Sequence, residues 1–286
     1  MLFKRVSIVG LGLLGGSWGL ALKQNGFSGT VQGCDRRDVL QQALSRKVID
    51  EGSEDITDAV RDADLVILAT PVGAILGLLP TLQAAITGGA LITDVGSTKR
   101  LICERASDVF RGAGLFLGGH PMAGRERSGL ENADASLFRN SRYALTPLTP
   151  DDVSDPRVEA FIGLLTEMQA LPFITDARAH DRAVAFLSHL PQLVSTGLAS
   201  LIAEQSAQEP LPLELAGPGF RDITRLAESP YPLWRDICLT NRENIRLALT
   251  SLIQKLEDMQ THLNDRELER DFGAALRLRE RLLTLT

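Results

Sequence analysis

Residues 6–17 read Val6-Ser7-Ile8-Val9-Gly10-Leu11-Gly12-Leu13-Leu14-Gly15-Gly16-Ser17, and no other stretch restricts the fold as much. A short apolar run suited to a buried strand leads into glycines spaced G-x-G-x-x-G, and a helical pattern follows. Gly10 suits the tight turn, Gly12 lets backbone approach a ligand, and Gly15 lets the helix pack close to the strand. The helix N-terminus then offers unpaired N–H groups and a partial positive charge to phosphates. Strand, turn and helix in this order begin a parallel, right-handed βαβ unit. Gly10, Gly12, Leu13, Leu14 and Gly15 are therefore the expected cradle for a dinucleotide pyrophosphate.

The second strand ends where such a site needs an acid. Val31-Gln32-Gly33-Cys34-Asp35 places a carboxylate roughly 20 residues past the glycines, where it accepts hydrogen bonds from ribose hydroxyls and repels a 2′-phosphate. Asp35 thus favours NAD. Arg36, its neighbour, is a cation able to accommodate that phosphate, so NADP stays open. Ala69-Thr70-Pro71-Val72 closes another apolar run. Ligands of open α/β sheets sit at the carboxyl ends of strands, so Thr70 and Pro71 join the expected cofactor site.

Strand patterns fall at 5–10, 30–34, 65–69, 90–94 and 115–118, with a later pair at 142–145 and 172–175. Several are continuous Val/Ile/Leu runs, the signature of strands covered on both faces. Beyond about residue 176 no strand pattern appears. Residues 181–204 are apolar around most of the helical circumference and predict a buried helix kinked at Pro191. Helical spacing continues over 241–263 and 265–283. These patterns predict an α/β Rossmann-type doubly wound sheet in residues 1–176, followed by an all-α domain in 177–286. Apolar helices in so small a domain complete their core against a second copy, so a homodimer is expected.

Composition removes several partner classes. The net charge is −6 and no basic run occurs, which argues against nucleic acid. The three cysteines are far apart, with neither disulfide nor metal-ligand spacing, so no metal is expected. The N-terminus leads straight into a strand pattern without a signal peptide, and the apolar run 65–79 is short for a span and broken at Thr70-Pro71. The expectation is a cytoplasmic enzyme acting on a small molecule, with no membrane partner.

Candidates for chemistry cluster at strand ends. His120 lies in Gly118-Gly119-His120-Pro121-Met122-Ala123-Gly124, directly after an apolar run and among small residues that leave room for a substrate. An imidazole there can take a proton from a hydroxyl whose carbon loses hydride. Ser97, in Asp94-Val95-Gly96-Ser97-Thr98-Lys99, can cap the next helix or orient His120. Lys99 reads as a first-turn surface residue. His189, in Ser188-His189-Leu190-Pro191-Gln192, is either a core histidine or a cleft residue, and Asp181 after His180 reads as a helix cap. His262 sits in a polar stretch and reads as solvated surface. Within Gly219-Phe220-Arg221-Asp222-Ile223-Thr224-Arg225, either arginine could bind a carboxylate bidentately or simply pair with Asp222.

Taken in this order, the Gly-Gly-Ser turn, 94–99, His-Pro-Met-Ala-Gly, His180-Asp181, Ser-His-Leu-Pro-Gln and 219–225 with Trp234-Arg235-Asp236-Ile237 resemble the prephenate/arogenate dehydrogenase family of tyrosine biosynthesis. The resemblance spans the glycine turn to about Asn244. It implies a Rossmann domain with a helical dimerisation domain, and NAD(P)⁺-dependent oxidative decarboxylation of a cyclohexadienol. It implies that His120 bonds the substrate hydroxyl, Ser97 assists it, and His189 contacts substrate and nicotinamide. Arg225 would bind the substrate carboxylate with Asp222 as its local partner, and Glu126 would stand at the site entrance. Arg125 beside it has no counterpart in that pattern.

Two other classes compete. A β-hydroxyacid-type dehydrogenase would need a helical-domain lysine as acid/base, and the helical part contains only Lys255, without a fitting motif. A non-catalytic NAD-sensing regulator would need no His120–Ser97–Arg225 set and would carry a basic DNA-binding segment.

Overall fold

The computed structural model describes residues 2–86, 88–110, 114–124, 128–264 and 266–284. The chain divides into two compact units, Met1–Arg242 and Glu243–Thr286. In the first, β1 (Arg5–Val9), α1 (Leu13–Gln24), β2 (Thr30–Cys34), α2 (Arg37–Ser45), β3 (Glu51–Ser53) and α3 (Ile56–Val60) open the sheet. Next come β4 (Leu65–Leu68), α4 (Val72–Ala85), β5 (Leu91–Asp94), α5 (Arg100–Val109) and β6 (Leu115–Pro121). Then β7 (Arg142–Pro147), α6 (Pro156–Glu167) and β8 (Leu171–Ile174) complete it. The strand order is β3-β2-β1-β4-β5-β6-β7-β8. Every pairing is parallel except β6 with β7. The order reverses between β1 and β4, which opens the ligand crevice of a doubly wound sheet at their carboxyl ends.

The continuous apolar runs follow from burial on both faces. Successive side chains alternate across a strand. Ile8, Leu65 and Ile67 therefore enter one core layer with Trp18, Tyr143 and Phe161, while Val9, Val66 and Leu68 enter the other with Ile75, Leu79 and Phe116. Trp18 stacks on Phe161 at 5.7 Å between ring centroids. β3 escaped the sequence reading because Glu51-Gly52-Ser53 is polar and largely exposed, with no apolar signal.

β6 runs to Pro121, beyond the expected end at 118. His120 is therefore a strand residue, paired with Ala144 of β7, rather than part of a loop after the strand. Antiparallel pairing with β7 extends it, and pairing is not visible in β6 alone.

The helices of the rest of this unit are α7 (Ala177–Val184), α8 (Leu190–Gln208), α9 (Pro218–Thr224) and α10 (Tyr231–Thr240). α7 starts earlier than predicted because Asp176 is the cap, accepting from the N–H groups of Arg178 and Ala179. A π-type turn, Ala185–His189, joins α7 to α8. Pro191 has no N–H and its ring crowds the preceding turn, and the wide π turn accommodates both effects. Ala177–Gln208 is thus a 32-residue helical run, long and apolar enough to cross a membrane by length and composition. The expectation that it is buried fails in the single chain. Only Gln192 and Ser195 of α8 are buried, and Leu187 in the π turn is 77% exposed.

In the second unit, α11 (Arg242–Thr261) and α12 (Arg266–Leu283) are joined by an ion pair between Lys255 Nζ and Asp271 Oδ1 at 2.5 Å. Ile253, Leu256, Phe272 and Leu276 are exposed on them.

Candidate active site

The glycine turn has the shape its spacing implies. Gly10 has φ +91, and a Cβ there would lie 2.8 Å from the carbonyl oxygen of Ala69. A Cβ on Gly15 would stand 1.8 Å from the Gly10 carbonyl oxygen, so only glycine lets α1 approach β1 this closely. At Gly12 nothing lies within 4 Å of that position, which leaves the backbone open to a ligand. Leu13 and Leu14, half-buried, start α1, which has no side-chain cap and no acid in its first turn. Its N-terminal N–H groups are thus not claimed by a side chain.

Asp35 stands beside this turn. Its Oδ2 accepts from the Leu11 N–H at 2.7 Å and its Oδ1 from the Arg36 N–H at 2.8 Å. Each carboxylate oxygen keeps a lone pair for a ribose hydroxyl. The Arg36 side chain is 78% exposed and lies 3.7 Å from Asp38. Thr70 Oγ1 is buried with no partner among the described residues, and Pro71 caps α4. Helix-terminal donors, an open backbone face and an anchored acid fit a dinucleotide with an unphosphorylated ribose. Gly15→Ala is expected to abolish NAD⁺ binding by displacing α1. Calorimetric titration checks this, and wild-type affinity in that variant would contradict it. A cavity of about 360 Å³ lined by Phe3, Asp64, Ala90 and Arg157 lies at the amino ends of the strands, opposite this crevice.

Next along the sheet, a wholly buried ion pair shapes the loop after β5. Lys99 Nζ donates to Asp94 Oδ2, and both side chains are 0% exposed. Lys99 is therefore not the surface residue its sequence neighbours suggested. The same Oδ2 accepts from the Gly96 N–H at 2.8 Å, while Oδ1 accepts from the Gly119 N–H at 3.1 Å. Asp94 thereby ties the loop bearing Ser97 to the strand bearing His120. Ser97 is half-buried on that loop, and no hydrogen bond joins it to His120 among the described residues.

Three histidines come together around Asp181. His120 Nδ1 lies 2.9 Å from His180 Nε2, and His180 Nδ1 lies 2.9 Å from Asp181 Oδ1. Asp181 sits inside α7 and does not cap it. It caps α5 through space, accepting from the N–H groups of Lys99 at 2.7 Å and Arg100 at 3.0 Å. Asn241 donates to the Asp181 carbonyl at 2.7 Å and lies 3.2 Å from His189 Nδ1. The His189 ring packs edge-on against Trp234, 5.9 Å between centroids. Burial holds His120 well below the ordinary imidazole value, and nearby His180, Lys99 and His189 add to this. Burial also pushes His189 down to about 4, with His180 adding and Asp181 opposing. Both rings are neutral near pH 7, the state a proton acceptor requires.

Arg225 opens a 3₁₀ turn, Arg225–Glu228, directly after α9. Gln192 Nε2 donates to the Leu226 carbonyl at 2.7 Å, so the glutamine of Ser-His-Leu-Pro-Gln holds that turn. Arg221, Asp222 and Arg225 are all exposed, and no ion pair links Asp222 to Arg225 among the described residues. Glu126 and Arg125 lie outside the described residues. α10 braces the crevice in two places. Asp236 Oδ2 accepts from the Gly73 N–H at 3.0 Å at the start of α4, and Thr240 Oγ1 lies 2.8 Å from Thr98 Oγ1. The sequence reading missed Asp236, Thr240 and Asn241 as contributors. The Trp-Arg-Asp-Ile run marked only the first of them, and nothing in spacing shows what each meets.

Among the described residues no group of three or more His, Cys, Asp or Glu side chains could hold a metal. The arrangement suits proton transfer beside a dinucleotide.

Comparison with known proteins matches both parts of the chain. Residues 18–171 match the family described as prephenate dehydrogenase, nucleotide-binding domain, and residues 176–278 match prephenate dehydrogenase, dimerization domain. A prephenate dehydrogenase of Lactococcus lactis is 35% identical over 264 residues, covering 92% of this chain and 70% of that protein. The structure of prephenate dehydrogenase from A. aeolicus, in complex with hydroxyphenyl propionate and NAD⁺, superposes with a TM-score of 0.87 at 28% identity, covering 99% of this chain and 98% of that one. Synechocystis arogenate dehydrogenase superposes with a TM-score of 0.81 at 29% identity, covering 97% and 99%.

Proposed function

The chain belongs to the prephenate dehydrogenase family, and from that premise we propose how its residues divide the work. It is an NAD-dependent oxidoreductase of tyrosine biosynthesis. It oxidatively decarboxylates prephenate to 4-hydroxyphenylpyruvate, or arogenate to tyrosine. The observation that carries the assignment of roles is His120, buried, neutral and placed at the carboxyl end of the sheet beside the cofactor crevice.

Gly10, Gly12, Leu13, Leu14 and Gly15 hold the pyrophosphate, Asp35 the adenosine ribose with Arg36 at its edge, and Thr70 and Pro71 line the nicotinamide end. When bound, NAD⁺ supplies the acceptor for the hydride leaving the hydroxyl-bearing ring carbon. His120 takes the hydroxyl proton, so that oxygen becomes a carbonyl. Loss of the ring carboxylate as CO₂ sends its electron pair through the ring to that carbonyl oxygen, which gives the aromatic phenolate directly, and the proton held by His120 returns to it to form the phenol. Ser97 steadies the hydroxyl, and His189 contacts the substrate from the helical side. Arg225 binds a substrate carboxylate without Asp222 as its partner, and Glu126 is assigned to the site entrance.

In this reading residues 1–176 are the NAD-binding domain and 177–286 the helical domain. The working unit is a homodimer. Leu187 and Leu201 on the α7–α8 run, and separately Ile253 and Phe272 in the second unit, are apolar surface for a second copy to cover. A bilayer does not suit the long helical run, because Asp181, His180 and His189 would enter hydrocarbon. The enzyme then works in the cytoplasm on a small molecule, without nucleic acid.

The test offers the purified protein prephenate or arogenate, each with NAD⁺ or NADP⁺, and follows reduced-cofactor absorbance. Turnover with NAD⁺ and at least one substrate is expected. Silence with all four pairings would sink the reading. Arg225→Ala is expected to raise the substrate KM roughly ten- to a hundredfold, as loss of a charged hydrogen-bonded contact does. An unchanged KM would assign Arg225 a structural role.

A further inference from the structure

We propose that Asp181, His180 and Asn241 are positioning residues that fix opposite tautomers on the two substrate-side histidines. His120 carries its hydrogen on Nδ1 and leaves Nε2 bare, whereas His189 leaves Nδ1 bare and carries its hydrogen on Nε2. The proposal rests on the reading above that these two rings face the substrate.

Asp181 anchors both lines. Its carboxylate oxygens accept the Lys99 and Arg100 N–H groups, so the oxygen 2.9 Å from His180 Nδ1 is an acceptor and that nitrogen is the donor. A His180 ring that carries its single hydrogen on Nδ1 turns the lone pair of Nε2 toward His120 Nδ1 at 2.9 Å, and His120 then donates. The nitrogen left to take a proton is His120 Nε2. This is the logic of a catalytic triad, in which a buried carboxylate orients an imidazole, with one more ring in the line.

The second line runs through the backbone of the same residue. Asn241 faces the Asp181 carbonyl at 2.7 Å, and only its NH₂ end can do so, because the reversed amide would set oxygen against oxygen. That NH₂ also lies 3.2 Å from His189 Nδ1. A donor there requires a lone pair on Nδ1, so the hydrogen of the neutral ring sits on Nε2. Two histidines that look alike in sequence thus play unlike parts. One accepts a proton, and the other offers a hydrogen bond to a substrate oxygen.

The test is tautomer-sensitive ¹H–¹⁵N spectroscopy of the full-length protein labelled at its four histidines, without substrate. His262→Gln identifies the surface signal, and single His→Gln changes identify the rest. His120 and His180 are expected as Nδ1–H and His189 as Nε2–H. An Nε2–H form of His120, an averaged mixture, or an Nδ1–H form of His189 overturns the proposal. Kinetics give a second readout. His180→Gln keeps an oxygen to accept from His120 and an NH₂ to donate to Asp181, whereas His180→Leu keeps neither. The Leu variant is expected to lose about a hundredfold in kcat with little change in KM, and the Gln variant to regain at least about tenfold of it. Equal losses in both, or a loss confined to KM, contradict the proposal. If a variant fails to fold, the spectrum of the parent decides. Correct tautomers without turnover would fail the functional reading alone, and turnover with other tautomers would fail this proposal alone.

Discussion

His120→Asn turns over whichever of prephenate and arogenate the parent accepts roughly a hundred- to ten-thousandfold more slowly than the parent, the range a positioned general base contributes. NAD⁺ affinity stays as in the parent, because the glycine turn and Asp35 are on other elements. Asparagine is the informative replacement. Its amide can still donate toward His180, so the buried neighbour keeps a partner, yet it cannot take up a proton near neutral pH. Steady-state kinetics together with calorimetric NAD⁺ titration check both halves. Near-normal turnover would remove His120 from the role of base. Weakened cofactor binding would show that β6 had shifted. In the parent, burial keeps His120 neutral as pH falls through the ordinary imidazole value of 6.5, so the base stays competent in mildly acidic buffer.

Lys99→Met destabilises the fold by about 3–5 kcal/mol, the usual cost of leaving a buried charge without its partner. Asp94 would keep the Gly96 and Gly119 N–H groups but lose its cation at a position with no solvent exposure. Methionine fills the volume of the lysine stem, so the loss reports charge and not a cavity. Adding Asp94→Asn removes the orphaned charge and should restore at least about 1 kcal/mol, a coupling expected of residues in direct contact. Urea denaturation followed by tryptophan fluorescence reads it, since Trp18 is fully buried. A loss below about 1 kcal/mol for the single variant would mean that water or another group replaces the lysine.

The glycine turn was legible because its signals are local. Gly10, Gly12 and Gly15 lie within one turn, and the close approaches that demand them follow from one strand meeting one helix. Asp35 follows from the length of one βαβ step. His120 stood out for the same reason, though its place inside β6 depends on pairing with β7. What stayed hidden is made across long separations. Asp236 meets Gly73 across 163 residues, and Lys99 meets Asp181 across 82. Lys99 read as surface because lysine at a helix start is usually solvated, and its partner Asp94 was counted only as a strand end. The helix 181–204 read as buried because its apolar circumference cannot reveal whether the covering surface belongs to the same chain.

The most direct test of the central claim is stoichiometry. Purified protein is given a limiting amount of prephenate or arogenate, whichever it turns over, with excess NAD⁺, and NADH, CO₂ and the phenolic product are measured together. The account predicts one of each per substrate molecule consumed, with all three falling in parallel in His120→Asn. NADH formed without CO₂, or CO₂ released without NADH, would contradict an oxidative decarboxylation carried by this site.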